Sequence, residues 1–304
     1  MPTKIENTLI TIVGPTAIGK TALSIKLAKH FNAEIISCDS RQFYKEMNIG
    51  TAVPSIEELE AAPHHFIQNR SIFEDYNVGD FEKDALKTIN SLFKKNTIVI
   101  MVGGSGLYVD AVINGLDYFP TVDSSIRENL NKQLETKGIE ALQLQLKELD
   151  IETYKSIAIA NPQRVIRALE VCIGSGKTYS SFKNKPKAKR NFKSIKIGLN
   201  AEREIIYNRI NKRVDIMMQE GLLLEAEKLF TNKNLNALQT VGYRELFSFM
   251  DQEITKEFAI EEIKKNTRRF AKRQLTWFKK DDSILWFDYK TNPETILNCL
   301  KEKL

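Results

Sequence analysis

Apolar residues come in short, dense runs near the start of the chain. Leu9–Val13 (LITIV) has no polar position facing either side but Thr11, which is the pattern of a strand covered on both faces. A helical apolar period follows over Lys20–His30. Glu34–Cys38 (EIISC) and Thr97–Val102 (TIVIMV) are two further buried strands, and a helix starting near Val78-Gly79-Asp80 lies between them. Strands alternating with helices predict an α/β fold with a parallel sheet. Residues 41–96 are a long excursion between the second strand and Thr97–Val102, and His64–Ile67 (HHFI) within it predicts another strand.

The pattern changes after Gly115. Ser125-Ile126-Arg127-Glu128 has the spacing of a capping box, and Ile126, Leu130 and Leu134 recur at helical intervals. Asn161-Pro162 predicts an N-cap followed by proline at the first helical position, and Gly174 a C-terminal stop. Ser194–Leu199 (SIKIGL) then has the composition of a strand rejoining the sheet. This order predicts an all-helical module, 117–193, inserted into a core formed by 1–116 and 194–304. From Glu202 onward the pattern predicts long amphipathic helices, with Ile206, Ile210, Val214 and Met217 on one stripe that reads as core packing.

With 304 residues, 42% hydrophobic and 28% charged, the chain can bury a substantial core. It contains no apolar run of the ~18 residues that span a bilayer, and MPTKIENTLITIV lacks the apolar segment and cleavage site of a secretory signal. Cys38, Cys172 and Cys299 form no C-x-x-C pair, and the only histidines are His30, His64 and His65, which argues against a disulfide framework or a structural zinc site. A cytoplasmic, metal-poor protein is expected. Net charge is +6 and it is unevenly spread. Ser181–Lys196 carries Lys183, Lys185, Lys187, Lys189, Arg190, Lys193 and Lys196 without an acid, and Lys264–Lys280 (KKNTRRFAKRQLTWFKK) is equally one-sided. Two readings stay open: phosphate contacts to a nucleic acid, or a solvated loop and a basic helix face.

The segment between the first strand and the first helix narrows the chemistry. Gly14-Pro15-Thr16-Ala17-Ile18-Gly19-Lys20-Thr21 is a G-x-x-x-x-G-K-T phosphate loop in its proper strand-to-helix context. Lys20 would reach the terminal phosphate of a bound anion, and the Thr21 hydroxyl would sit on Mg²⁺. A second GKT, within Gly174–Thr178 (GSGKT), follows a helix and lacks the first glycine of the pattern, so it reads as a helix terminus. The strand before Gly103 ends in glycines, where hydrolytic phosphate-loop enzymes carry an acid. Asp39 stands where the second strand ends, the end at which open parallel sheets bind ligands. Its carboxylate could bind a substrate hydroxyl, coordinate a metal, take a proton, or only cap a turn.

Together the motifs define a family resemblance. GPTAIGKT, SCDSRQFYKEMNIGTAVP, HHFI, VGGSGLYVDAVINGL, NPQRVIRALEV, NALQTVGYREL and KNTRRFAKRQLTWF occur in this order, and over about residues 8 to 288 the chain closely resembles the bacterial tRNA dimethylallyltransferases. The resemblance implies a P-loop NTPase-like parallel sheet with an inserted tRNA-binding module. It implies that the loop grips the diphosphate of dimethylallyl diphosphate, with Mg²⁺, while N6 of adenosine 37 beside the anticodon attacks the allylic carbon. Breaking a carbon–oxygen bond needs no activated water, which accounts for the missing acid. The same resemblance assigns Lys20, Thr21, Arg209 and Arg213 to the diphosphate and Asp39 to proton removal. It assigns Asp39, Ser40, Arg41, Gln42, Ser105, Arg127, Gln163, Arg164, Val165, Ile166 and Arg167 to tRNA. Arg209 and Arg213 could equally be surface ion-pair partners, Arg164 and Arg167 could pair with Glu170, and Trp277 could stack on a base or simply pack. Ser105 stands where relatives often have threonine, and Cys299 alone stands where eukaryotic members carry zinc ligands, so the chain resembles the compact bacterial form. Rival readings are prenyl transfer to free AMP or ADP, a P-loop small-molecule kinase, and a non-catalytic RNA-binding protein. A monomer is expected.

Overall fold

The computed structural model describes residues 6–183 and 188–304. They form two compact units, one made of residues up to Asn114 with Lys189–Leu304, the other of Gly115–Ala188. The first unit begins with β1 (Thr8–Val13), α1 (Lys20–Phe31), β2 (Ile35–Ser37), α2 (Ile56–Ala61), β3 (His64–His65), α3 (Val78–Leu92), β4 (Ile98–Val102) and α4 (Gly106–Asn114). The second unit holds α5 (Ser124–Leu149), α6 (Ile151–Ser156) and α7 (Pro162–Ser175). The chain then returns through β5 (Lys193–Asn200), α8 (Arg203–Gln219), α9 (Leu222–Leu229), α10 (Tyr243–Met250), α11 (Lys256–Phe278), β6 (Ile284–Asp288) and α12 (Pro293–Lys301).

All six strands are parallel, in the order β3-β2-β4-β1-β5-β6. β1 is central, with Ile10 opposite Ile100 of β4 and Ile195 of β5. Its near-continuous apolar run follows from that position, because helices cover both faces. On one face Ile10, Ile12, Ile35 and Ile197 pack with Leu23 and Leu27 of α1 and Ile206 and Ile210 of α8. On the other, Leu9, Ile36, Val99 and Met101 pack with Phe81 and Ile89 of α3 and Phe278 of α11. A third cluster joins Val214 of α8, Leu222 of α9, Tyr243 and Leu246 of α10 and Ile263 of α11 to Tyr44 and Met47. The helical unit has its own core of Leu130, Leu142, Leu146, Val165, Ile166 and Leu169.

Several local expectations change. The third strand covers only His64–His65, because Phe66 turns into the left-handed region at φ 63°. α5 is capped by Asp123, whose carboxylate accepts the Ser125 N–H at 2.8 Å, so Ser125 is inside the helix. α7 runs through Gly174 to Ser175 and is closed by Gly176 at φ 66°. Gly174 is small for a different reason: a Cβ there would meet Val122 at 2.4 Å. β6 lies beyond Glu202, where the pattern predicts long amphipathic helices. The helical unit ends at Ala188 rather than 193, since Arg190 belongs to the sheet unit, where it binds Glu82 at 2.6 Å and the carbonyls of Ala111 and Val112. No described helix is long and apolar enough to cross a membrane.

Candidate active site

The phosphate loop leaves β1 at Gly14, where φ is 144° and a Cβ would sit 2.5 Å from the Leu199 carbonyl oxygen of β5. Only glycine fits there. Ile18 anchors the loop in the core. Ala17 (φ 63°) and Gly19 (φ 107°) take left-handed conformations, which curl the backbone into a concavity ahead of α1. Gly19 supplies no side-chain cap and α1 has no acid in its first turn, so its positive end is left for an anion. Lys20 Nζ rests on the Pro15 carbonyl at 2.8 Å, folded back over the loop it would serve. Arg209 of α8 donates Nε to the Ala17 carbonyl at 2.7 Å and lies over the Tyr289 ring. Thr16 donates its N–H to Gln274 Oε1 at 2.9 Å.

A cavity of about 850 Å³ opens beside this loop, lined by Thr16–Ala22, Asp39, Gln42, Thr51 and Arg213. A second, of about 430 Å³, is lined by Asp39, Ser40, Arg41, Ser105, Arg244 and Arg273. Thr16, Asp39, Thr51, Ala52, Arg213 and Met217 line both, so Asp39 and Arg213 stand where the two spaces meet. All these residues belong to the sheet unit.

Asp39 follows the end of β2. Its Oδ1 accepts the Arg41 N–H at 3.2 Å, while Ser40 donates its N–H to Ser105 Oγ at 3.3 Å and meets the same hydroxyl with its own at 3.4 Å. β4 approaches this turn closely, and a Cβ on Gly103 would fall 2.5 Å from Cys38 Sγ and 2.8 Å from the Cys38 carbonyl carbon. The missing acid after β4 thus has a steric reason. Burial pushes the Asp39 carboxyl above its usual range, against the Arg41 N–H and the charges of Lys20, Arg41 and Arg213. Burial also lowers Lys20 to about 8, with Asp39 pulling the other way. Arg213 is lowered by burial and then by Arg209. Burial thus disfavours the charged form of the acid and of both bases that line this space.

Other expected residues are placed differently. The Arg41 guanidinium donates to the carbonyls of Asn236 and Ala237 at 3.0 and 2.9 Å. The Gln42 amide accepts from Ser37 and donates to the carbonyls of Thr51 and Ala52, bracing the rim of the cavity. In the helical unit Arg127 and Arg167 both bind the Glu170 carboxylate, at 2.8 and 3.2 Å, while Gln163 and Arg164 are exposed on α7. Val165 and Ile166, expected to touch tRNA, are 0% exposed and form the core of that unit; they can only support the helix. Within the first basic run Lys185 and Lys187 lie outside the described residues. In the second, Lys264 pairs with Asp215 and Arg268 with Asn211, whereas Arg273 faces the second cavity. Trp277 donates to Asp110 at 2.9 Å. Thr240, Arg244, Phe270 and Arg273, which line the second cavity, and Gln274 carry no chemical signature of their own in the sequence, although they lie in the NALQTVGYREL and KNTRRFAKRQLTWF segments.

A family model described as IPP transferase matches residues 42–281. The chain is 62% identical to the tRNA dimethylallyltransferase of Flavobacterium psychrophilum, over 98% of this chain and 99% of that protein. The chain belongs to the IPP transferase family. A tRNA dimethylallyltransferase of Flavobacterium johnsoniae is 64% identical over 97% of this chain and 98% of its own length. Among solved IPP transferase structures, the full-length tRNA isopentenylpyrophosphate transferase of Bacillus halodurans superposes with a TM-score of 0.73 at 38% identity, covering 98% of this chain and 97% of that one. A eukaryotic dimethylallyltransferase acting on tRNA superposes at 0.78 with 27% identity, covering 98% of this chain and 77% of that one. The relatives extend over the phosphate loop, which the IPP transferase model itself does not include.

Proposed function

We propose that this IPP transferase moves the dimethylallyl group of dimethylallyl diphosphate to N6 of adenosine 37 beside a tRNA anticodon and releases diphosphate. The observation that carries the reading is the meeting of a phosphate-loop cavity and a second cavity at Asp39 and Arg213. The diphosphate occupies the loop concavity, facing the N-terminus of α1, Lys20 and Arg213. The adenine, turned out of the anticodon loop, enters from the other side, as base-modifying enzymes require. The allylic carbon–oxygen bond breaks with its electrons going to the diphosphate, and the N6 lone pair forms the new carbon–nitrogen bond. The surplus N6 proton passes to the Asp39 carboxylate, whose raised pKa suits a proton acceptor. An aryl amine is a weak nucleophile, so holding it in line with the allylic carbon is the larger part of the task.

Mg²⁺ fits this site as a cation held by substrate. The Thr21 side chain lines the loop cavity, and no cluster of three or more His, Cys, Asp or Glu able to hold a metal exists among the described residues. An oxygen donor plus phosphate oxygens is how Mg²⁺ is usually bound. When present it neutralises charge on the departing diphosphate. Ser40 and Ser105 face the acceptor cavity. On the helical unit Gln163, Arg164, Arg127 and Arg167 are the groups that would meet RNA phosphates.

The test uses purified protein, Mg²⁺ and radiolabelled dimethylallyl diphosphate, with unmodified tRNA or AMP as acceptor. Label in the prenylated nucleoside of digested tRNA, abolished by Lys20→Ala, is the expected result. Label in AMP alone would make the acceptor a free nucleotide. ATP consumption without prenylation would refute the reading.

A further inference from the structure

A buried amide joins the two halves of the site. Gln274 is the fifth residue from the C-terminal end of α11 and is only 5% exposed, yet neither end of its amide is idle. Oε1 accepts the Thr16 N–H of the phosphate loop at 2.9 Å, and Nε2 donates to the Gly104 carbonyl at 3.0 Å. Gly104 directly precedes Ser105, whose hydroxyl receives the Ser40 N–H beside Asp39. One side chain thus spans from the diphosphate cradle to the turn that holds the acceptor side. The fit is close: a Cβ on Gly104 would fall 2.1 Å from the Gln274 Nε2. One turn further along α11, Trp277 covers Gly106, where a Cβ would meet the indole at 2.3 Å, and donates to Asp110. The helix therefore grips the Gly104–Gly106 turn at two points and the phosphate loop at one.

Burying an amide loses its hydration, and two neutral hydrogen bonds return little more than that loss. An aliphatic side chain of similar size would avoid the loss but leave the Thr16 N–H and the Gly104 carbonyl without these partners. What the amide supplies is a fixed spacing and register between two backbone segments. Resting on the transferase reading above, the geometry points to Gln274 as a positioning residue: it sets the separation between the Thr16 segment that cradles diphosphate and the Gly104-Ser105 segment that orients Ser40 and Asp39. It touches neither substrate. Because Arg273, its neighbour on α11, faces the acceptor cavity, the same helix presents one residue to the acceptor space and the next to the loop.

The variant is Gln274→Leu, which is close in volume and removes both bonds. The expected result is a split: kcat falls about tenfold or more, ~1.4 kcal/mol, while KM for tRNA and, in calorimetry, the affinity for inorganic diphosphate with Mg²⁺ each stay within about threefold. Should Gln274→Leu not fold, Gln274→Asn, whose amide is one methylene too short to span both partners, is expected to give the same split. Weaker binding of either substrate with kcat unchanged, or a lower Tm with kcat unchanged, would overturn the proposal and leave Gln274 a structural residue. Wild-type protein that does not bind diphosphate would instead overturn the transferase reading on which the proposal stands.

Discussion

Asp39→Asn separates chemistry from architecture at this site. The replacement is isosteric, and an amide oxygen can keep the Arg41 N–H bond now made at 3.2 Å, so no cavity opens and the backbone loses about 1 kcal/mol or less from a weakened acceptor. Turnover is another matter. Loss of a positioned proton acceptor removes ~10²–10⁴ in rate, which is roughly 3 to 5 kcal/mol of barrier. The folded state raises the carboxyl pKa, so the native protein holds that proton more tightly than the unfolded chain does. The contribution to stability is present at low pH and is lost as pH rises through the folded value. At neutral pH the carboxylate is a burden on the apoprotein, offset in part by its attraction for Lys20. Asp39→Asn is therefore expected to leave Tm at pH 7 equal or higher while turnover collapses. The wild-type rate should fall as pH drops through a value above the ordinary carboxylate range, and the variant should lose that dependence. Single-turnover prenylation of tRNA across pH, with thermal melts of both proteins, measures all three. Turnover within about threefold of wild type, or a Tm that drops in step with activity, would refute the reasoning.

Two further outcomes follow from named contacts. Glu170→Gln weakens two charge-assisted bonds to Arg127 and Arg167, both about 40% exposed on their side chains, so solvent discounts the loss to about 1–2 kcal/mol. KM for tRNA should rise with diphosphate binding unchanged, and an unaltered KM would remove these arginines from RNA recognition. Gly103→Ala drives a methyl to 2.8 Å from the Cys38 carbonyl carbon, an overpacking of ~1–3 kcal/mol that shifts the residue before Asp39; Tm and turnover should fall together, and an unchanged turnover would show that the turn relaxes freely.

Much of this was written in local pattern. The dense apolar runs of β1 and β4 have the length and β-branched composition of strands covered on both faces, and the G-x-x-x-x-G-K-T stretch placed the phosphate loop because its spacing is a backbone requirement. Asn161-Pro162 announced α7 for the same reason: capping is a property of consecutive residues. Where the reading failed, the deciding partner was distant in sequence. β6 is an edge strand paired with β5, and its short apolar run Ile284–Phe287 (ILWF) cannot be told by periodicity alone from a buried helix segment. Val165 and Ile166 sit inside the QRVIR segment that the resemblance assigns to tRNA, yet pack with Leu142 and Leu146 from another helix.

The sequence by itself determined the alternation of strands and helices as far as β5, the phosphate-loop motif and the family. Those depend on neighbours along the chain. Only the tertiary structure decided that Asp39 and Arg213 share the junction of two cavities, that Gly103 and Gly104 are glycines because Cys38 and Gln274 fill the space a Cβ would need, and that Gln274 bridges segments 258 and 170 residues away. Burial raises Asp39 and lowers Lys20 for the same reason: desolvation depends on what folds around a charge, which no local pattern encodes.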